Sequence, residues 1–477
     1  MKTLTIATQA NFHNGLLVAT FATLSFLLLA ARPPWLFSGV TLTVIACGGF
    51  LFALLFVVSA SQRSQGLDLA KSYLRLALVV WWSLLVSQEV FFRSAKGMEA
   101  FTIQFSEAAY GEVTFWAIAF LALLLIMPRP LYLRQAFSGS NKWLSLFAVV
   151  CLISALFSPA PLYALAWAFK LLLAVLLLLL CSATMYDLDD IEAFLWANFW
   201  GFALATVIRI GRAFIDPSAA FQGGRLSDSI GPPMVSLLAG TLLLLALSLN
   251  LLRKRTWLVG FAFLGLAVMI IAGGKAGIIG GLASITVFFV LQKRVATGFG
   301  WLLGVFVLGG AIIAVTPVAT YFTTYLEQGQ LSTISGRTAL WRAVLPEIMQ
   351  HPIAGHGYMS SRFLGLHVSG VPWVAMHTHN GFLEILYTNG LIGLIIVVAI
   401  SLVTVKNLRR ALKSPPDTNV RLLAIGSGAI CINLLINGFF NATFGGQPSS
   451  PFMLLLGLLI VSEVLRRNAD LPVRLPR

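Results

Sequence analysis

The chain has 477 residues, 58% of them hydrophobic and 10% charged, with a net charge of +15. An ordinary soluble domain carries about 25% charged residues, so this composition excludes a soluble enzyme, a disulfide scaffold and a disordered chain. The surplus lysine and arginine sits mostly in short segments between apolar runs, as membrane orientation demands and nucleic-acid binding does not.

In chain order, the apolar runs predict about 14 spans, at 15–31, 36–60, 71–92, 111–128, 143–158, 161–183, 191–214, 232–252, 257–273, 276–292, 299–321, 382–405, 421–441 and 449–466. The expected fold is all-α, a polytopic transmembrane helical bundle whose backbone groups are satisfied inside helices. Lys2 precedes the first run with no small-residue cleavage site after it, so no cleavable signal is expected. The pair 143–158 and 161–183 is divided only by Ser158-Pro159-Ala160-Pro161 and reads as a hairpin or a broken helix. Cys47, Cys151, Cys181 and Cys431 all lie in apolar runs, which leaves no readable disulfide framework or zinc motif.

With the N-terminus inside, 20 of the 32 lysines and arginines fall in inner segments and eight in outer ones. Arg75, Lys170, Arg209 and Arg212 fall within spans. The bias places both termini in the cytoplasm. Asp187, Asp189, Asp190 and Glu192 break the pattern as an acidic inner loop.

The one long hydrophilic segment, Thr323–Gly381, faces outward on this count and holds five of the six histidines. Its aromatics and Gly/Pro punctuation predict an ordered loop. A helix is expected from Ser335 to Gln350, capped by Ser335, with Leu340, Trp341, Val344, Leu345, Ile348 and Met349 at helical spacing. Such a helix would lie apolar side down on the membrane face. Arg337 in its first turn adds a cation where a helix start already favours anions.

After this helix come His351-Pro352, then Gly355-His356-Gly357, then His377-Thr378-His379-Asn380 and finally Gly390-Leu391-Ile392-Gly393. Together with Gly336-Arg337 and Trp341, these elements in this order resemble the O-antigen ligase and O-antigen polymerase family. The resemblance is sharp over 335–393 and diffuse over 220–465. It implies N-terminal transmembrane helices over 1–220, a ligase-like catalytic region over 221–465 with a periplasmic loop at 323–381, and a cytoplasmic tail over 466–477. It also implies glycosyl transfer on the periplasmic face from a glycan on undecaprenyl pyrophosphate. The acceptor would be a sugar hydroxyl, on the lipid A core for a ligase or on another lipid-linked unit for a polymerase of O-antigen, capsule or exopolysaccharide. No cofactor, metal or nucleic acid is implied.

The residue types suit that chemistry on their own. A hydroxyl nucleophile needs a general base, and His379 is the candidate, with a pKa expected near neutrality. A pyrophosphate leaving group needs cations, and Arg337, Lys275 and Arg225 are the candidates. His377, Asn380 and Glu384 are expected to support them, Asn380 as a helix cap and Glu384 as a buried partner for His377, Arg337 or Lys275. Gly390 and Gly393 permit close packing. Lys275 stands where the family commonly has Ser-Arg, and Gly231-Pro232-Pro233-Met234 replaces its usual Gly-x-Pro-Asn after Arg225. Plainer readings compete: an interfacial anchor for Arg337, a loop or cap role for His379, snorkelling for Lys275 and Arg225. A lipid-linked glycan transporter is the alternative class, favoured only by Arg209 and Arg212 in one span.

Overall fold

The computed structural model describes residues 69–86, 88–89, 114, 116, 138–227, 231–315, 337–366, 377–441, 443–446 and 448–470. The expected spans 15–31 and 36–60, all of 111–128 except Thr114 and Trp116, the cap at Ser335, His367 and the tail beyond residue 470 lie outside the described residues.

The chain forms helices α1 (Leu69–Val86), α2 (Asn141–Ala155), α3 (Pro161–Thr184), α4 (Leu188–Ile215) and the single turn α5 (Pro217–Ala220). A minimal antiparallel hairpin follows, β1 (Phe221–Gln222) and β2 (Arg225–Leu226). Then come α6 (Pro232–Arg253), α7 (Thr256–Ala272), α8 (Lys275–Leu291), α9 (Val295–Val315) and α10 (Arg337–Gln350). A 3-10 helix (Ser360–Leu366) leads on to α11 (Gly381–Ala411), α12 (Asn419–Phe440) and α13 (Ser450–Asp470). Among the described residues, five helices are long and apolar enough to cross a membrane: α3, α4, α6, α11 and α12.

A helix that is apolar all round must be buried all round, and α6 meets that condition: every residue from Val235 to Leu249 is buried. Helices α4, α7, α8 and α12 pack around it, while α11 packs on α2, α12 and α13. Successive helices reverse direction. Connections 185–187, 254–255, 292–294 and 412–418 therefore gather at one end, and 156–160, 216–227, 273–274 and 443–446 at the other, with the approach to α11.

The uncertain segment around Pro159 is a hairpin. α2 and α3 pack against each other, and Pro161 occupies the first turn of α3, where its missing N–H costs nothing. The acidic loop also finds its reason. Lys71 reaches Asp187 at 2.6 Å and Asp190 at 2.7 Å, and Arg253 forks onto Glu192 at 2.6 and 2.7 Å. Asp187 and Asp190 further form a reciprocal capping box at the start of α4. These acids balance neighbouring cations and cap a helix, so their presence among basic segments is local structure. Within the bundle, Arg209 meets Glu89 at 2.9 Å, and Ser450 donates to the same carboxylate at 2.7 Å. The arginine that favoured transport is thereby tied to a buried counter-charge.

The feature that most shapes the site is a break in α11. Gly390 has φ 63° and ψ −163°, a backbone state that residues with a Cβ avoid. At this break the Tyr387 and Thr388 carbonyls accept instead from the N–H groups of His356 (2.8 Å) and Gly357 (3.0 Å). The Leu391 and Ile392 N–H groups donate to the carbonyls of Pro352 (2.8 Å) and Ile353 (3.3 Å). An irregular backbone at membrane depth survives only where protein satisfies its polar groups, and the His351-Pro352 turn does this. Gly355, at φ 74°, lies against the Thr388–Gly390 backbone so closely that a Cβ would strike it. The sequence suggested close helix packing at Gly390; the structure shows a backbone-to-backbone splice between two motifs 30 to 40 residues apart in the chain.

Gly390→Ala should cost at least about 1–3 kcal/mol for the forced backbone state alone, with a further clash against Ile353. Thermal unfolding in detergent should show a clearly lowered midpoint. An unchanged midpoint would mean the splice adds nothing to stability.

Candidate functional site

The splice fixes the position of α10 over the first turns of α11. Leu340, Val344 and Ile348 of α10 are buried with Leu364 and Tyr387, and Trp341, Leu383 and Leu386 pack around them. The apolar stripe expected to lie on the membrane thus faces the chain's own helix. Leu345 and Met349, from the same stripe, stay exposed at 48% and 71%. The reason is register: positions 340, 344 and 348 share one narrow face, which Tyr387 and Leu364 fill. His356 secures the arrangement. Its Nε2–H donates to the Glu347 carbonyl at 2.8 Å, and its ring stacks on Tyr387 with centroids 4.5 Å apart. His351 packs edge-on against it at 4.8 Å.

The segment His377–Asn380 threads between α10 and α11. Trp341 Nε1 donates to the Thr378 carbonyl at 2.9 Å. Thr378 is fully buried, and its N–H and hydroxyl reach Glu384 Oε2 at 2.8 and 3.0 Å. Ser361 also hydrogen-bonds this carboxylate. Glu384, 1% exposed, therefore holds the backbone between the two histidines, not a histidine or a cation as the sequence suggested. Asn380 caps α11 as expected, accepting from the N–H groups of Phe382 (2.9 Å) and Leu383 (3.1 Å).

With Thr378 pinned inward, His377 and His379 project together, their ring centroids 4.0 Å apart. His379 sits in the left-handed region at φ 53°, a state uncommon for residues other than glycine and one that functional sites concentrate. Its N–H donates to His377 Nδ1 at 3.3 Å, which fixes His377 as the Nε2–H tautomer. Each histidine keeps some solvent access, yet packing around the rings governs their acidity. Burial, then the charges of Arg337 and Arg362, lowers His377 to about 4. Burial, then His377 and Arg337, lowers His379 to about 2. The sequence suggests a His379 pKa near neutrality; burial and the neighbouring charges hold it far lower. Both rings are neutral at neutral pH, each with a nitrogen lone pair to accept a proton, under a positive field that an anion would neutralise.

The structure brings Arg337, His377, His379, Asn380 and Glu384 into one neighbourhood. Lys275 opens α8 at the same end of the bundle, where the turn before it packs on Pro232, Pro233 and Ser236 at the start of α6. Arg225 lies on β2, which packs against α6 and α7 at that end. The charges acting most on the histidine pair are those of Arg337 and Arg362. Arg362 was not singled out from sequence, nor were Thr378 and Ser361. Arg362 sits in a 3-10 turn without a motif, and its only signal was an outward-loop cation.

Glu384→Ala should free the Thr378 N–H in a buried place, at a cost of about 1–3 kcal/mol. Glu384→Gln retains an acceptor oxygen and should recover most of the stability in a detergent melt. Equal loss in both variants would show that the charge, not the hydrogen bond, matters.

No curated protein matches this chain closely. Residues 240–398 match the family model described as O-antigen ligase. The matched region contains Lys275, α10 with Arg337, the His351-Pro352 turn, the histidine pair and the break at Gly390; Arg225 precedes it. Residues 240–398 of this helical chain, whose described residues include five helices long and apolar enough to cross a membrane, are thus similar to the O-antigen ligase family.

Proposed function

We propose that the protein transfers a glycan from undecaprenyl pyrophosphate to a sugar hydroxyl of the lipid A core, on the periplasmic face of the inner membrane. The family supplies the general chemistry, ligation or polymerisation of lipid-linked glycans in a membrane. The observation that carries the finer reading is the neutral His379, held in a left-handed turn beside Arg337 at the start of a membrane helix. In this reading His379 removes the acceptor hydroxyl proton as that oxygen attacks the anomeric carbon. The bond from that carbon to the diphosphate oxygen breaks, and Arg337 stabilises the charge gained by the leaving diphosphate. Lys275 and Arg225 line the donor's approach at the same end. Binding of the diphosphate offsets the positive field on the histidines and raises the basicity of His379 in the complex.

The test is transfer by the purified protein, given undecaprenyl-pyrophosphate-linked glycan and lipid A core in EDTA without nucleotide. Product formation is expected. Inhibition reversed by zinc or magnesium would contradict the metal-independent step, and product only with a second lipid-linked glycan as acceptor would make the protein a polymerase.

A further inference from the structure

A recess lies at the end of the bundle opposite the candidate site, where α4 starts, α6 ends and α7 begins. It has a volume of about 580 Å³ and is lined by Asp189, Glu192, Trp196, Trp200, Arg253 and Trp257, with Arg255 at its edge. Three indoles stack along one wall. Trp196 and Trp257 lie 5.7 Å apart, and Trp200 and Trp257 5.8 Å apart at 21° between planes. Trp200 and Trp257 are 46% and 38% exposed. Tryptophans at the membrane–water boundary are common in membrane proteins; stacked ones that form the wall of a charged recess are a more specific arrangement.

The charges divide into a tightly engaged pair, Glu192 and Arg253, and a loosely held pair, Asp189 and Arg255. Glu192 is occupied, since Arg253 forks onto it and Trp196 Nε1 donates to it at 3.0 Å. Asp189, with a side chain 86% exposed, lies 4.0 Å from Arg253. Arg255 is exposed at the N-cap of α7; its carbonyl accepts from the Leu258 N–H at 3.1 Å, while its side chain, among the described residues, makes no hydrogen bond or ion pair. The rim therefore offers one carboxylate, one guanidinium and an indole wall between water and the apolar flank of the bundle.

We propose that this recess binds the headgroup of a zwitterionic glycerophospholipid carrying an ammonium group, with its phosphate on Arg255 and its ammonium at Asp189 against the Trp200 and Trp257 faces. Guanidinium binds phosphate through charge-assisted hydrogen bonds, and an ammonium is attracted to an indole face. A headgroup with both signs satisfies both rim charges at once. A purely anionic head would leave the carboxylate facing like charge. The recess volume suits a headgroup with its glycerol, and Phe261, packed on Trp257 at 5.9 Å, continues the wall along α7 for an acyl chain.

The test is native mass spectrometry of the full chain released from detergent, titrated with palmitoyl-oleoyl phosphatidylethanolamine or phosphatidylglycerol, and separately with free phosphoethanolamine. The ethanolamine lipid should bind about tenfold tighter than the glycerol lipid, the range expected of a partly desolvated ammonium–indole contact. Asp189→Asn should abolish that preference, and Arg255→Ala should weaken both lipids. Both residues are exposed, so folding should be spared; Trp257→Phe, which keeps an aromatic wall, should reduce the preference only partly. Free phosphoethanolamine should bind far more weakly, because it lacks the acyl chain. Equal affinity for the two lipids, binding of free phosphoethanolamine as tight as that of the lipid, or a preference that survives Asp189→Asn would overturn the proposal.

Discussion

His379→Ala should lower glycan transfer by about 10²–10⁴-fold, the usual contribution of a positioned general base, while binding of the lipid-linked donor should persist. The expectation rests on position as much as on residue type. His379 is neutral, held in the left-handed region and edge-on to His377 with ring centroids 4.0 Å apart. Loss of its side chain leaves the Trp341–Thr378 and Thr378–Glu384 bonds in place, because these hold the backbone of the segment. The variant should therefore fold and insert like the parent. His377→Ala acts differently. It removes the acceptor for the His379 N–H, so it should loosen the turn and lower activity less. Near-normal transfer by His379→Ala, with strong loss in His377→Ala, would exchange their roles.

The second large effect is expected at Arg337. Charge builds on the diphosphate as the sugar departs, so a cation placed there stabilises the transition state more than the ground state. Arg337→Ala should lower turnover by about 10²–10³-fold, as loss of a preorganised electrostatic donor does. Arg337→Lys should recover only part, because a point charge cannot reproduce the planar fork. Arg342, exposed on another face of α10, is the internal control and should tolerate alanine. A pH profile separates a site role from a general charge effect. A histidine acts as a base only above its pKa, and kcat/KM reports the free enzyme. The wild-type acid limb should thus lie well below the ordinary value of 6.5. Arg337 is one of the charges that lowers His379, so Arg337→Ala should move that limb to higher pH. Equal loss of activity at Arg337 and Arg342, with no movement of the limb, would assign α10 a general membrane or folding charge.

Hydrophobic runs made the helices legible, because a 20-residue apolar stretch has few other fates. The described helices overlap each expected span from 143 onward, with ends shifted by as much as six residues, and α10 and the Asn380 cap follow from local rules of periodicity and capping. What the sequence could not show is partnership across distance. Nothing local says that the carbonyls freed at Gly390 meet the N–H groups of His356 and Gly357, or that Glu384 serves Thr378 and Ser361. The low pKa values of the histidines escaped for the same reason, since burial by packing and the fields of Arg337 on both rings and Arg362 on His377 belong to the tertiary structure. The acidic loop stood out of the charge pattern without a local reason because its partners Lys71 and Arg253 lie on other helices.

The anomeric configuration of the new glycosidic bond tests the central claim most directly. If His379 deprotonates the acceptor and its oxygen displaces the diphosphate in one step, attack comes from the face opposite the leaving group. Nuclear magnetic resonance of the purified product should then show a linkage of inverted configuration relative to the sugar diphosphate, with one carrier diphosphate released per bond formed. A retained configuration would contradict the account, since it requires a covalent glycosyl-enzyme step in which His379 is not the base for a direct displacement.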